Sequence, residues 1–252
     1  MDFLRRLQGD REIDVQFWKK HPELRKQLVD DAYSEKAHFI YELLQNAEDA
    51  EADTVAFELH DDRLEVRHNG RRKFPESDID AITDVSKSGK EDTGETIGKF
   101  GIGFKSVFKY TDRPYVYSGE YSFAIRDFVV PEAVPMLEGL GSDTLFIFPL
   151  GNLKKSEKDA CKEIRAGLEE LAETTLLFLS NIKSIRWLLG QEVLGEVLRI
   201  QHSGTHITVT KNASRKTAVT SHYLRLDNSV EGLKRHCVSV AFALDYLPNV
   251  TA

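Results

Sequence analysis

The chain has 252 residues, 30% of them charged and 41% apolar, which suffices for one large domain, or one and part of another, around a buried core rather than a disordered tract. A formal net charge of −7 argues against a broad nucleic-acid surface, and no run of 18 apolar residues offers a membrane-spanning helix. Two cysteines, Cys161 and Cys237, form no disulfide framework, and the first residues lack a signal-peptide core, so a cytoplasmic protein is expected.

Residues 1–32 read as one or two short amphipathic helices, with Phe17, Trp18, Leu24 and Leu28 as apolar contacts and Pro22 just inside the second. Ser34 is expected to cap a longer helix running to about Ala50. Within it Phe39, Ile40, Leu43, Leu44 and Ala47 recur at helical spacing, while Glu42, Asn46 and Asp49 form a polar row along one face. Asn is a poor residue for a helix interior, and a neutral amide one turn from a carboxylate needs a reason; the plain alternative is a capped surface helix.

Thr54 to Leu59 and Leu64 to His68 alternate as a hairpin around Asp61-Asp62. Pro75 and the run 78–82 predict a loop and a short helix. The runs Arg71-Arg72-Lys73 and Lys154-Lys155 read as solvated faces. Residues 83–97 are polar and rich in Ser, Lys, Thr and Gly, and a loop of that length reads as a lid. The stretch from Thr96 to Phe108 then places Gly98, Gly101 and Gly103 before an apolar, helix-compatible run. Glycines there let backbone N–H groups approach a ligand, and the helix start that follows favours anions. The spacing fits neither the dinucleotide fingerprint nor the Walker loop.

Tyr115 to Ser118 and Tyr121 to Arg126 read as paired strands, Asp143 to Phe148 as an apolar strand, Ser156 to about Leu179 as a long helix and Ile182 to Leu189 as a strand. Beyond Gly190 the texture turns to short β-rich runs, Val193 to Ile200, His206 to Thr210 and Val238 to Leu244. The expected division is therefore 1–190 as one domain and 191–252 as the start of a second, within a longer protein. His202 and His206 have no cysteine or carboxylate neighbours at ligand spacing, and no nucleophile triad is legible.

The polar helix and the Gly-rich stretch, in that order and about 55 residues apart, resemble the Bergerat-fold (GHKL) ATPases, the superfamily of gyrase, the ninety-kilodalton heat-shock chaperone, histidine kinases and MutL. Tyr33, Ser34, Lys36 and Phe39 ahead of Glu42, Asn46 and Asp49 resemble the chaperone's first motif. Lys87-Ser88-Gly89 resembles the start of its lid. Gln45 before Asn46, and the string from Gly98 to Val107, are most similar to the sacsin-type branch. The resemblance covers roughly residues 30 to 190.

It implies an α+β two-layer sandwich, a mixed β-sheet with helices on one face, holding ATP and Mg²⁺ between the helices and the lid. Asn46 would hold Mg²⁺, and Glu42 would orient or deprotonate the attacking water. Asp49 and Ala50 complete the helix's share of the pocket. The backbone of Gly98, Lys99, Phe100, Gly101, Ile102, Gly103 and Phe104 would hold the phosphates, with Lys87 or Lys99 as cation. Thr144 matches the family's fourth motif, near the adenine. The second motif, Asp-x-Gly-x-Gly in the family, reads here His68-Asn69-Gly70-Arg71-Arg72, so His68 would offer an imidazole acceptor to the adenine amino group.

By the same resemblance the domain drives conformational change in a larger protein, through lid closure, pairing of two copies at the N-terminal segment and lid, and downstream domains of the same chain. Its partners would be ATP and those domains, with no membrane. Two readings stand beside it: a nucleotide-gated binding module with little turnover, and a histidine-kinase-type phosphotransferase. The Phe100 and Phe104 pattern, and the lack of a phospho-accepting helix hairpin upstream, count against the second.

Overall fold

The computed structural model describes residues 2–21, 37–84, 103–214, 217–229 and 237–244, and the fold is stated for these. Helix α1 (Asp2–Lys20) is followed by α2 (Phe39–Asp49), the hairpin β1 (Thr54–Leu59) and β2 (Arg63–His68), and α3 (Glu76–Thr83). A 3₁₀ helix spans Phe104–Lys109, and β3 (Tyr115–Ser118), β4 (Tyr121–Arg126), β5 (Val130–Ala133) and β6 (Thr144–Pro149) follow. Then come α4 (Glu157–Glu169), a 3₁₀ turn Glu173–Leu176, and β7 (Ser184–Leu189), β8 (Glu192–Gln201), β9 (His206–Ala213), β10 (Val219–Ser229) and β11 (Cys237–Leu244).

The described strands join one mixed sheet in the order β11-β10-β9-β8-β7-β1-β2-β6-β3-β4-β5. Each pairing is antiparallel except β1 with β7, which run parallel with Thr54 opposite Ser184. Cross-strand partners share a face, so the register assembles the core by itself. Val55 pairs with His68 and His68 with Thr144; Phe57 with Val66 and Val66 with Phe146; Leu59 with Leu64 and Leu64 with Phe148. All of these are buried, and Ile185 and Trp187 extend the row on β7.

Helix α2 covers that row with Phe39, Ile40, Leu43, Leu44 and Ala47, the positions its periodicity selects. The Phe39 ring lies 6.2 Å from that of Phe148 on β6 and 5.1 Å from that of Tyr110. Helix α4 adds Ala160, Ile164 and Leu168, and its Ser156 cap accepts a hydrogen bond from the Asp159 N–H. Helix α1 lies along β5, where Val15 meets Val129 and Val130, and its Arg11 donates to the Asp80 carboxylate of α3.

Three elements differ from expectation. The helix predicted to reach Leu179 stops at Glu169, because Leu171, Leu176 and Leu177 must turn into the core and the Lys211 ammonium collects the Glu169 and Leu171 carbonyls. Strand β5 carries Pro131 and lies at the sheet edge, where a missing N–H is tolerated. Strand β10 places Arg225 on its inward side, which breaks the apolar alternation. The sheet runs on from β7 into β8 without a break at residue 190.

A loop at 177–182 ties the two halves of the sheet together. From α2, the Glu48 carboxylate accepts the N–H groups of Ser180, Asn181 and Ile182, at 2.7, 2.8 and 3.0 Å. From β8 and β10, Arg199 donates to the Ser180 carbonyl and Arg225 to those of Leu177 and Leu179. The loop's polar backbone is thus satisfied by charged side chains on both sides, where an unmet buried amide or carbonyl would be costly.

Candidate functional site

The C-terminal half of α2 and the turn after β2 meet in a cleft of about 20 Å³, lined by Asn46, Asp49, Ala50, Arg72, Lys73, Phe74 and Asp78. Small-molecule and cofactor sites run to roughly 300–1,000 Å³, far more than the described residues enclose here. Lys87, Gly98, Lys99, Phe100, Gly101 and Ile102, and the expected lid beyond Asp84, lie outside the described residues, as do Tyr33, Ser34 and Lys36.

Glu42 and Asn46 are one turn apart on α2 and both half-buried. The Glu42 carboxylate lies against the backbone of Gly103: a Cβ placed there would fall 1.9 Å from Glu42 Oε2 and 2.0 Å from its Cδ. Only glycine fits. The acidic residue of the first motif and the last glycine of the Gly-rich stretch are therefore in direct contact. Glu42 also stands 3.3 Å from His38 Nε2, one turn earlier. The Asn46 amide makes no hydrogen bond to any described residue, which leaves a neutral oxygen available to a cation. Such a donor beside a carboxylate fits Mg²⁺, which takes few protein ligands and keeps water and phosphate oxygens.

Asp49 presents surface to solvent, yet burial of its carboxyl raises its pKa, against the lowering charge of Arg72 and with Glu48 and Asp78 adding to the rise. Asp78 is raised for the same first reason, again opposed by Arg72. The guanidinium of Arg72 donates to the Asp49 carbonyl at 3.1 Å, and its N–H to that of Ala50. Lys73 bonds the carbonyls of Gly70 and Ser142. Arg72 and Lys73 thus belong to the cleft, although their run reads as a solvated face. The signal that could have found them is their place in the second motif, which Arg72 closes and Lys73 follows.

The turn itself depends on Gly70, where a Cβ would meet Ala50 Cβ, Ala50 O and His68 Nδ1, each at 2.8 Å. That absence lets the chain press onto the end of α2. His68 is buried, and its Nδ1 accepts the Gly70 N–H at 3.2 Å. Burial, with the Lys73 charge second, lowers its pKa from 6.5 to about 4, so the ring is neutral at pH 7. A neutral imidazole has one acceptor nitrogen, and Gly70 occupies it; the geometry assigns the proton to Nε2. What His68 offers a ligand is an N–H donor rather than the acceptor expected for it.

The Asn69 side-chain oxygen accepts the N–H groups of Asp53 and Thr54 at 2.9 and 3.0 Å, holding the start of β1. Thr144 is buried beside His68 in the register, and its hydroxyl lies 2.8 Å from Ser118 Oγ, which also accepts the Phe74 N–H. Phe104 is buried between Phe146 and Phe148, at ring distances of 6.1 and 6.3 Å. Lys105, next to it, turns into the core and donates to the carbonyls of Ile82 and Phe128; burial lowers its pKa to about 7. It holds the end of α3. The structure thus brings Asn46, Asp49, Ala50, His68 and Gly70 together at the C-terminal end of α2, and sets Glu42 against Gly103 at its first turn.

Residues 66–134 match the family model described as "Sacsin domain". The chain is 35% identical to human Sacsin over an alignment of 107 residues that covers 35% of this chain and 2% of that protein. It is 29% identical to Protein NO VEIN of Arabidopsis thaliana over 271 residues, covering 92% of this chain and 10% of the relative. The match to a sacsin-type domain is thus confined to residues 66–134, and the chain spans a small fraction of these relatives. Two solved structures align more remotely. The N-terminal domain of a DNA repair protein matches at TM-score 0.48 and 11% identity, over 80% of this chain and 71% of the other. The Aquifex aeolicus MutL ATPase domain complexed with ADP matches at 0.38 and 12%, over 73% and 79%. Both lie too far off to carry an inference. No helix among the described residues is long and apolar enough to cross a membrane.

Proposed function

We propose that this chain binds Mg²⁺·ATP against the polar row of α2 and hydrolyses it, as an ATPase domain of a larger protein. The observation that carries the reading is the seat of the Glu42 carboxylate on Gly103, with the Asn46 amide, unpartnered among the described residues, one turn further on. It supports a division of labour in which Asn46 holds the ion and Glu42 handles the water. The ion, when bound, supplies charge neutralisation for the phosphate oxygens. Glu42 orients the attacking water and takes its proton. Asp49, Ala50 and the Nε2–H of His68 bound the base, and the N–H donor suits a ring-nitrogen acceptor better than an amino group. Closure of residues 83–97 over the nucleotide, pairing of two copies and action on downstream domains rest on the resemblance and belong to the same proposal.

The test is calorimetric titration of Mg·ATP and a turnover assay on the same preparation. Asn46→Ala should abolish magnesium-dependent binding. Glu42→Ala should keep binding and lose turnover by ~10²–10⁴, the usual cost of losing general-base help. Binding without turnover in the parent, within the full-length protein, would replace the ATPase with a nucleotide-gated binding module. Loss of binding and turnover together in Glu42→Ala would make Glu42 a residue that shapes the pocket.

A further inference from the structure

The far end of the β1–β2 hairpin carries a second constellation, on the sheet face turned away from α2 and α4. Glu58 and Glu65 are direct cross-strand partners there. Like charges at opposed positions repel, and sequences ordinarily avoid them. Here the turn between the strands adds His60. Its Nε2 lies 3.2 Å from Glu58 Oε1 and 3.8 Å from Glu65 Oε1. One ligand atom from each of the three side chains falls within 4.8 Å of the others.

Two further observations set this group apart from a chance meeting of acids. His60 Nε2 is shut off from solvent and makes no hydrogen bond, even though two carboxylates stand close to it. A ring nitrogen this close to two carboxylate oxygens, without a hydrogen bond to either, is open to a partner that the three side chains share. The turn that presents it is also held at both backbone ends. The His60 N–H donates to the Arg63 carbonyl at 2.8 Å, and the His60 carbonyl accepts from Cys161 Sγ at 3.3 Å, across from α4.

We propose that Glu58, His60 and Glu65 bind a divalent transition-metal ion of the zinc class, with water completing the shell. Tetrahedral zinc with ~2.0–2.1 Å bonds needs its ligand atoms about 3.3 Å apart, close to the separations found. One imidazole with two carboxylates is a donor set that suits zinc, whereas magnesium and calcium favour oxygen alone. The ion would replace the repulsion between the two glutamates and give the orphan nitrogen a partner, clipping the hairpin at its tip. Arg63 is a built-in competitor, since its Nε donates to Glu65 Oε1 at 2.7 Å. His68 lies five residues along β2 from Arg63, the residue facing His60, about 17 Å at the rise of a strand, so the site is separate from the nucleotide cleft.

The experiment uses chelator-stripped protein without nucleotide, titrated calorimetrically with zinc chloride and then unfolded thermally with and without zinc. One zinc per chain is expected, with a raised unfolding temperature. His60→Ala should weaken binding at least ~10-fold, and Glu58→Gln, which keeps the side-chain shape, serves if that variant fails to fold. Arg63→Gln should tighten binding several-fold by releasing Glu65; weaker binding in that variant would overturn the proposal. So would affinity unchanged in both His60→Ala and Glu58→Gln, or a response to magnesium as large as that to zinc. His202, His206 and His222 also cluster, with rings 4.8 and 5.3 Å apart. A zinc signal removed by His206→Ala and kept by His60→Ala would therefore overturn it too.

Discussion

The two ends of the sheet hold together by different means. Around β1, β2 and β6 the inward side chains are covered by helices, and the ring of Phe146 meets those of His68, Phe74, Phe104 and Phe148. Along β8 to β11 the inward face includes two arginines hooked onto loop carbonyls, while Ile200, Leu226, Val238, Val240, Phe242 and Leu244 stay exposed. The first region is ordered by apolar burial, which is tight and non-directional. The second adds charge-assisted hydrogen bonds, which are directional and few, to the burial of Val197, Ile207, Val209 and Tyr223. A site that must hold a carboxylate against one glycine is built on the first kind of support.

Deleting a ring from each end sharpens the contrast most. Phe146→Ala should cost ~3–5 kcal/mol in urea denaturation, as buried aromatics do, whereas Phe242→Ala should stay within about 0.5 kcal/mol, as exposed substitutions do. Equal losses would mean that the two ends share one kind of support.

The next effect is set by pH. His68 has a folded pKa near 4 against 6.5 unfolded. Between those values the unfolded chain binds the extra proton, so stability is complete above pH 6.5 and falls as pH drops toward 4. At pH 4.5 the loss from this residue should be ~2–3 kcal/mol. His68→Asn keeps an acceptor for the Gly70 N–H without titrating. Its stability between pH 7 and 4.5 should therefore fall less steeply than the parent's; equal slopes would show that the ring is not held neutral.

The smallest effect probes the join between the two ends. Glu48→Gln weakens the bonds to three backbone N–H groups and should cost about 1.5 kcal/mol, the low side for bonds to a charged acceptor because the amide keeps one oxygen. Hydrogen exchange should rise in β8 to β10 and stay unchanged in β2 and β6. A uniform rise would place Glu48 in the common core instead.

How much of this was readable beforehand depended on whether a residue's role is local. The buried stripe of α2 follows from helical period alone, and the β1–β2 hairpin from strict alternation around two aspartates. Pro131 hid β5 and the inward Arg225 hid β10, because each departs from the pattern that marks a strand. The end of α4 was missed because Leu171, Leu176 and Leu177 prolong an apolar rhythm that tertiary packing uses differently. Along α2, the row of Glu42, Asn46 and Asp49 follows from helical spacing. The commitment of His68 Nδ1 to Gly70 does not, since it depends on a turn two residues long folding back onto the ring. Arg72 and Lys73 enter by the same turn. The pairing of Glu58 with Glu65 needed the register itself.

The parallel seam between β1 and β7 bears on how the protein is made. Thr54 meets Ser184, as Asp53 meets Lys183, at a sequence separation of 130. At roughly 5–20 residues per second, about 6–26 s of synthesis separates the two strands. Through that interval the open side of β1 lies at what will become the middle of the sheet, with its backbone groups unmatched. A contact so distant in sequence is also slow to form, because the loop must close before the pairing rewards it. The centre of the molecule is thus among the last parts a ribosome allows to be finished, and an emerging chain carries a ready template for wrong partners until β7 arrives.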